Sequence, residues 1–197
     1  MDKAALRREV LARRSALTDR GPRSLAIEAR LRSLPEFGRA GTIASYVGVG
    51  EEVSTVAAIE DALARDVTVA VPWRAGNDLH LARILSMAEL VPVSFGLLEP
   101  PPGLAASPAR MLPPEDAGLL LIPGVAFDRD GGRLGHGKGF YDRLLQRAGP
   151  GPLRIALAFE CQVVENVPMV AGDERMDLVV TEDAIYRVSA RTALGGR

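Results

Sequence analysis

Gly118-Leu-Leu-Leu-Ile-Pro123, followed ten residues on by Arg133-Leu-Gly-His-Gly-Lys-Gly-Phe-Tyr-Asp142, is the part of the sequence on which the fold turns. An apolar run of strand length with no polar alternation suits a strand covered on both faces. Gly124, Gly131, Gly132, Gly135, Gly137 and Gly139 then make a loop, and a helix is predicted from about Gly139 to Ala148. Strand, glycine loop and helix in that order form one arm of an α/β fold. Closely spaced glycines let the backbone approach a ligand and turn its N–H groups toward it. The start of a helix adds unpaired N–H donors and a partial positive charge, a natural site for phosphate. Arg133 and Lys138 supply full charges, and an arginine grips phosphate through two donors. Asp142, one turn into the helix, lies where a magnesium ion bridging phosphates would be met. The plainer alternative is a flexible loop that merely joins strand to helix.

Two familiar phosphate motifs fail here. Gly132 to Lys138 has the spacing G-x-x-x-x-G-K, but Gly139 stands where a P-loop places the Ser or Thr that binds its metal. A dinucleotide fingerprint needs G-x-G-x-x-G directly after a strand. This chain has G-x-G-x-G, about a dozen residues beyond the strand.

Working outward, Leu6, Val10, Leu17, Leu25, Ile27 and Leu31 recur among many arginines, and two amphipathic helices are predicted over residues 1–34. The expected break is Thr18-Asp-Arg-Gly-Pro22, and Pro35 is expected to end the second helix. Thr42 to Val49 reads as a strand, Ser54 as the cap of a helix reaching Ala64, and Val67 to Val71 as a second strand. Asp78 to Leu85 reads as a half-exposed strand. The prolines from Pro92 to Pro114 mark a long surface connection that wraps one domain. Arg154–Phe159, Leu178–Thr181 and Ala184–Val188 complete the strands. The expected architecture is a single-domain, three-layer α/β/α fold with a mostly parallel central sheet, N-terminal helices and a flexible tail over 189–197.

The 197 residues suit one domain, and a net charge of -1 gives no global field for nucleic acid or an anionic membrane. Any anion must therefore be held by a local arrangement. Cys161 is the one cysteine, so no internal disulfide forms, and its lack of metal-ligand spacing makes it an inert thiol. With no apolar run near the length of a membrane span and no signal-peptide core, a cytoplasmic enzyme is expected.

Leu121-Ile-Pro-Gly-Val-Ala-Phe-Asp-Arg-Asp-Gly-Gly-Arg-Leu-Gly-His-Gly-Lys-Gly-Phe-Tyr-Asp-Arg-Leu-Leu145 closely resembles the signature of the 5-formyltetrahydrofolate cyclo-ligase (methenyltetrahydrofolate synthetase) family. Lys3-Ala-Ala-Leu-Arg7, Tyr46-Val47 with Glu52-Val-Ser-Thr55, Phe95-Gly-Leu-Leu-Glu-Pro100 and Asp177-Leu-Val-Val-Thr-Glu182 resemble further blocks of that family in the same order. The resemblance implies an ATP- and Mg²⁺-dependent ring closure of 5-formyltetrahydrofolate to 5,10-methenyltetrahydrofolate, releasing ADP and phosphate. It implies that Lys3, Arg7 and the loop Arg133, Leu134, Gly135, His136, Gly137, Lys138, Gly139, Phe140 and Tyr141 bind ATP. Lys138, Arg133 and Tyr141 would carry the catalysis. Arg7, Val47, Glu52 and His136 to Phe140 would border the folate, with Glu52 accepting hydrogen bonds from the pterin. Asp142 and Asp177 match the metal-binding aspartates. Phe140 stands where many members have Tyr, which leaves stacking and removes a hydroxyl. Trp73 is expected as a wall of the folate pocket.

Two other readings stay open on the sequence: ATP-dependent phosphoryl transfer to a different small acid, and a folate or nucleotide binder without turnover. No nucleic acid, membrane or obligate protein partner is expected. His80 reads as structural, whereas His136, inside the loop, would carry charge toward phosphate near neutral pH. Asp128 and Asp130 read as turn formers before Gly131. Glu165, Asp173 and Glu174 read as ordinary loop acids.

Overall fold

Leu119, Leu120, Leu121 and Ile122 are all buried, and alternate residues of this strand belong to different cores. Leu119 and Leu121 pack with Ile27, Leu31, Phe37 and Ile59, while Leu120 and Ile122 pack with Leu144, Leu145 and Ala148. Period-two alternation into two apolar layers is what places helices on both faces of a sheet. The computed structural model describes residues 2–188, so the tail expected over 189–197 lies outside the described residues.

Along the chain, α1 (Lys3–Ser15) begins at Asp2, whose carboxylate accepts the Ala5 N–H at 2.8 Å, a standard N-cap. α2 (Arg20–Ser33) contains Pro22 in its first turn. The Gly-Pro pair therefore starts the helix rather than breaking it, because first-turn N–H groups have no intrahelical partner to lose. Pro35 likewise opens a short helix, α3 (Pro35–Arg39). β1 (Thr42–Ser45) is shorter than predicted, since the chain from Tyr46 to Thr55 leaves the sheet and folds on itself. α4 (Val56–Ala64) has Thr55 rather than Ser54 at its N-cap position. The Thr55 hydroxyl donates to the Tyr46 carbonyl at 2.6 Å, and Ser54 Oγ accepts the Val56 N–H at 3.4 Å.

β2 (Thr68–Ala75) extends past the predicted Val71 and pairs in a hairpin with β3 (Asp78–Ile84). The proline-rich connection carries only short pieces: β4 (Val91–Pro92), β5 (Leu98–Glu99), α5 (Pro102–Ala105) and β6 (Met111–Leu112). β7 (Leu119–Ile122) follows. Then comes a hairpin that the sequence did not suggest, β8 (Ala126–Asp128) and β9 (Arg133–Leu134), before α6 (Phe140–Ala148). β10 (Leu153–Leu157), β11 (Val163–Val164), β12 (Leu178–Val180) and β13 (Ile185–Arg187) end the described chain.

The main sheet has the order β13-β12-β10-β7-β1-β2-β3-β6. β12, β10, β7, β1 and β2 run parallel; β13 and β3 join them antiparallel, and β6 pairs antiparallel with β3 at the edge. The class is therefore α/β with a mostly parallel sheet, as expected. From β1 the chain moves to β2 on one side; from β7 it moves to β10 on the other. A crevice opens outside the carboxyl ends of strands where the connections diverge in this way, and ligands of open α/β sheets bind there. Among the described residues no helix is long and apolar enough to cross a membrane.

The β8–β9 turn is organised by a buried carboxylate. Asp128 Oδ1 accepts the Gly132 N–H at 2.7 Å and the Asp130 N–H at 3.0 Å, and Oδ2 accepts the Val167 N–H at 2.8 Å. A Cβ at residue 132 would lie 2.3 Å from that carboxylate, which is why only glycine fits there. Asp128→Ala leaves these donors inside the protein without a partner. It should lower unfolding free energy by about 2–4 kcal/mol in urea denaturation. A loss below about 0.5 kcal/mol, the size of an ordinary surface change, would contradict this account.

Candidate functional site at the β1–β7 crevice

A cavity of about 640 Å³ lies at the switch point, lined by Tyr46 and Val47 after β1 and by Pro123 and Gly124 after β7. This is within the ordinary range for small-molecule sites. Its three walls differ in character. One is the loop from Arg133 to Asp142, joined by Lys3 and Arg7 of α1 and by Asp173. The second is the end of β1 with Glu52. The third is apolar, made by Pro72 and Leu79 of the β2–β3 hairpin with Leu97 and Leu98, and carries Arg74 and Glu99.

The first wall is built for an anion. Gly139 has φ 66 and is the N-cap of α6 without any side-chain cap. Only glycine takes that left-handed turn without strain. The first intrahelical bond reaching back to it comes from Arg143 N–H, so the N–H groups of Phe140, Tyr141 and Asp142 are left unspent within the helix. Lys138 is exposed, and its ammonium has no hydrogen bond or ion pair among the described residues. α1 reaches the loop because Leu6 and Val10 pack with Val125, Ala126 and Leu134. That packing turns Lys3 and Arg7, one helical turn apart, toward the cavity. Arg7 Nε donates to the Gly135 carbonyl at 2.9 Å, and Lys3 pairs with Asp173.

Two buried arginines hold the acids of this wall in place. Arg133, 3% exposed at its side chain, donates to Asp142 Oδ1 at 2.7 Å and to the Pro123 carbonyl at 3.3 Å. Its Nε has no partner among the described residues. Arg154 binds the Leu145 and Gly149 carbonyls at 3.1 and 2.8 Å and Glu174 at 2.6 Å. It thereby ties the segment carrying Asp173 and Glu174 to the back of α6. Asp142 Oδ2 and Asp173 Oδ1 make no hydrogen bond among the described residues.

In the second wall, Glu52 Oε2 accepts the Val49 N–H at 3.2 Å. Burial pushes its carboxyl above the ordinary 4.5, against the opposing effects of that bond and of Arg14. Tyr141 is pushed far above the ordinary phenol value by burial and by Glu52, so its hydroxyl stays protonated and is a donor, not a base. His136 is held below 6.5, first by loss of water and then by Arg14, Arg7 and Lys138. Its imidazole is therefore neutral near pH 7. The expected positive charge is disfavoured first by loss of water and then by the neighbouring cations Arg14, Arg7 and Lys138.

The structure brings Lys3, Arg7, Val47, Glu52 and the whole run from Arg133 to Asp142 to one cavity. It does not bring Asp177 there. Asp177 immediately precedes β12, and its carboxylate accepts the Arg154 N–H at 2.8 Å, in register with the start of β10. The second acid on the wall is Asp173, which nothing in the sequence sets apart from an ordinary loop acid. Trp73 is not on the cavity either. Strand alternation gives the cavity Pro72 and Arg74 and sends Trp73 to the opposite face, where it stacks on His80 at 5.5 Å. Also unforeseen were Arg74 and the buried Arg14, which reads as one more solvated helix arginine.

Because Glu52 has a raised folded-state value, the stability it contributes is complete below about 4.5 and is lost as pH rises through the folded value. Glu52→Gln cannot ionise, so its melting temperature should exceed that of the unsubstituted protein at pH 7 to 8. The advantage should vanish near pH 4. Melts that run parallel at all pH values would contradict a desolvated carboxyl.

The sequence profile of the 5-formyltetrahydrofolate cyclo-ligase family matches residues 1–182. A 5-formyltetrahydrofolate cyclo-ligase of Mycolicibacterium smegmatis is 31% identical over 189 residues, covering 91% of this chain and 93% of that protein. The Escherichia coli K12 enzyme of the same name is 32% identical over 181 residues, covering 88% and 97%. An NMR structure of Aquifex aeolicus 5,10-methenyltetrahydrofolate synthetase superposes with a TM-score of 0.82 at 34% identity, covering 100% of this chain and 97% of the other. With the match extending over nearly the whole sequence and the same fold in a relative, this chain belongs to the 5-formyltetrahydrofolate cyclo-ligase family.

Proposed function

We propose that this protein closes the ring of 5-formyltetrahydrofolate to 5,10-methenyltetrahydrofolate, using ATP and Mg²⁺ and releasing ADP and phosphate. The observation that carries the reading is one cavity in which an anion-binding loop faces the half-buried carboxylate of Glu52. The formyl oxygen is a poor leaving group. It attacks the γ-phosphorus of ATP, the bond to ADP breaks, and a formyl phosphate conjugated to N5 results. N10 then adds to the formyl carbon, the carbon–oxygen bond breaks, and phosphate leaves together with the N10 proton. No enzyme nucleophile is required, which suits a site made of positioners and charge stabilisers.

Each wall has a part in this. Lys138, Arg7 and the α6 N–H groups offset charge on the transferring phosphoryl group. Arg133 fixes Asp142, and Lys3 fixes Asp173. Glu52 accepts from the N–H groups of the pterin, whose hydrogen bonds replace the water that burial removed. The neutral phenol of Tyr141 donates a hydrogen bond within the same space. Phe140, backed by Arg143 at 5.3 Å from its ring, offers a flat face and no hydroxyl.

The donors fit a magnesium ion. Asp142 Oδ2 and Asp173 Oδ1 are hard carboxylate oxygens on the wall that receives phosphate, and Mg²⁺ on a nucleotide takes one or two such groups with phosphates and waters. Among the described residues no group of three or more His, Cys, Asp or Glu side chains makes a complete cage, so the nucleotide would supply the remaining ligands. Bound there, the ion would neutralise charge between the β- and γ-phosphates.

Incubation with 5-formyltetrahydrofolate, ATP and Mg²⁺ should generate the methenyl chromophore, and omission of any one should abolish it. ATP consumption only with another acid would favour a different phosphoryl transfer, and folate binding without product would favour a non-catalytic binder. Asp142→Asn and Asp173→Asn, which keep an Oδ1 acceptor but lose the carboxylate charge, should each remove most turnover and demand more Mg²⁺, with the circular dichroism of the folded protein unchanged. Asp177→Ala should lower stability and leave the Mg²⁺ requirement as it was. The reverse pattern would restore Asp177 as the metal ligand.

Lys138→Ala should reduce kcat by about 10²–10³-fold, the scale for losing one stabiliser of transition-state charge. Unchanged single-turnover kinetics would remove Lys138 from that role.

A further inference from the structure

Arg74 is a cavity-facing arginine that the reaction does not use. It lies on β2, exposed at the rim of the apolar wall, and pairs in register with Leu79, which lines the same wall. The other arginines around the cavity are already committed. Arg7 holds the Gly135 carbonyl and Arg133 holds Asp142; on α6, Arg143 binds Asp78 and the Asn77 carbonyl, and Arg147 binds the Leu79 carbonyl. These last contacts fasten the β2–β3 hairpin to α6, so Arg74 stands on a fixed platform. Its own guanidinium has no hydrogen bond or ion pair among the described residues.

We propose that Arg74 selects the anionic tail of the substrate, gripping a carboxylate of the glutamyl group that extends from the aryl ring of the folate. The inference rests on the proposed function and goes further by assigning the far end of the substrate. In sheet order the phosphate loop comes off β7 by way of the β8–β9 hairpin, Glu52 follows β1, and Arg74 lies on β2. A pterin at Glu52 would therefore have phosphate on one side and, on the other, the apolar surface of Pro72, Leu79 and Leu98 leading to Arg74. An aryl ring suits that surface. Beyond it come carboxylates, which a guanidinium binds through two parallel hydrogen bonds. Glu99 lies in the same wall. Without Arg74 the wall would present a carboxylate alone, and an anionic tail would be repelled.

The test compares 5-formyltetrahydrofolate with its tail diamide, which keeps the pterin, formyl group and aryl ring but loses both tail charges. The unmodified protein should show a KM for the diamide about tenfold higher, the scale of one partly exposed charge-assisted pair. Arg74→Ala should raise the KM for the acid to the diamide's level. The diamide KM, the ATP KM and kcat should stay where they were, and Arg74→Lys should restore part of the preference. Equal losses on both substrates would make Arg74 a structural part of the wall and overturn the inference. A rise in the ATP KM alone would assign Arg74 to phosphate and overturn it too. If the unmodified protein turns over neither compound, the proposed reaction itself fails and takes this inference with it. That result appears before any substitution is made, so the two failures are distinguishable.

Discussion

β1 and β7 lie side by side and parallel, yet the chain leaves them in opposite directions, toward β2 and toward β10. Helices pack over both faces of the sheet, but nothing in that path covers the ends of these two strands. The crevice is thus a consequence of strand order rather than of any particular side chain. Each later feature works from its edges. Tyr46 to Thr55 folds into one side through the bonds of Thr55, Tyr46 and Glu52. The β8–β9 hairpin and the glycine loop form the other, and α1 closes over that loop.

The charged groups divide into those that build the site and those that remain open to a ligand. Arg133 and Arg154 are almost wholly buried, which is tolerable only because carboxylates and carbonyls surround them. What they gain is position: Asp142 is fixed from behind, and the segment carrying Asp173 is pulled against α6. Lys3 adds a link from α1 to the same segment. The first wall is therefore tied together by ion pairs contributed from α1, β9, α6, β10 and the stretch before β12. A substitution in one of these pairs would be felt by the others, as expected for a connected network.

Local pattern revealed the parts of this arrangement that are local. The apolar tetrad Leu119–Ile122, the loop glycines and the start of α6 are each decided within a few residues, and they were legible. Parity and spatial proximity were not. Trp73 and Arg74 differ by one position, and one position in a strand exchanges the two faces of a sheet. Asp173 and Asp177 lie four apart in a stretch with no helix or strand to set their directions, so spacing alone could not say which acid meets the cavity. β8 and β9 are too short for any periodicity to show. Arg14 carries no mark in the sequence that separates it from the solvated arginines of the same helix. Resemblance to a family pointed to the loop and both N-terminal cations, which do line the cavity, and to Asp177, whose carboxylate instead accepts the Arg154 N–H.

Pairing also bears on how the cavity treats charge. It holds five basic side chains, Lys3, Arg7, Arg74, Arg133 and Lys138, against four acidic ones, Glu52, Glu99, Asp142 and Asp173. A near balance of this kind would be a poor anion trap if all the charges were equivalent. They are not, because Lys3 and Arg133 are neutralised by Asp173 and Asp142, while Arg7 is held by a carbonyl. Lys138 and Arg74 alone among the five are unpartnered within the described residues, and they stand on different walls. A ligand reaching either one breaks no existing ion pair, whereas a ligand competing for Arg133 would have to separate it from Asp142 in a place with little water. The buried cations thus hold geometry, while the two exposed ones remain available to a ligand. His136 fits the same division: held low by loss of water and, secondly, by the cations near it, its imidazole adds no third free charge.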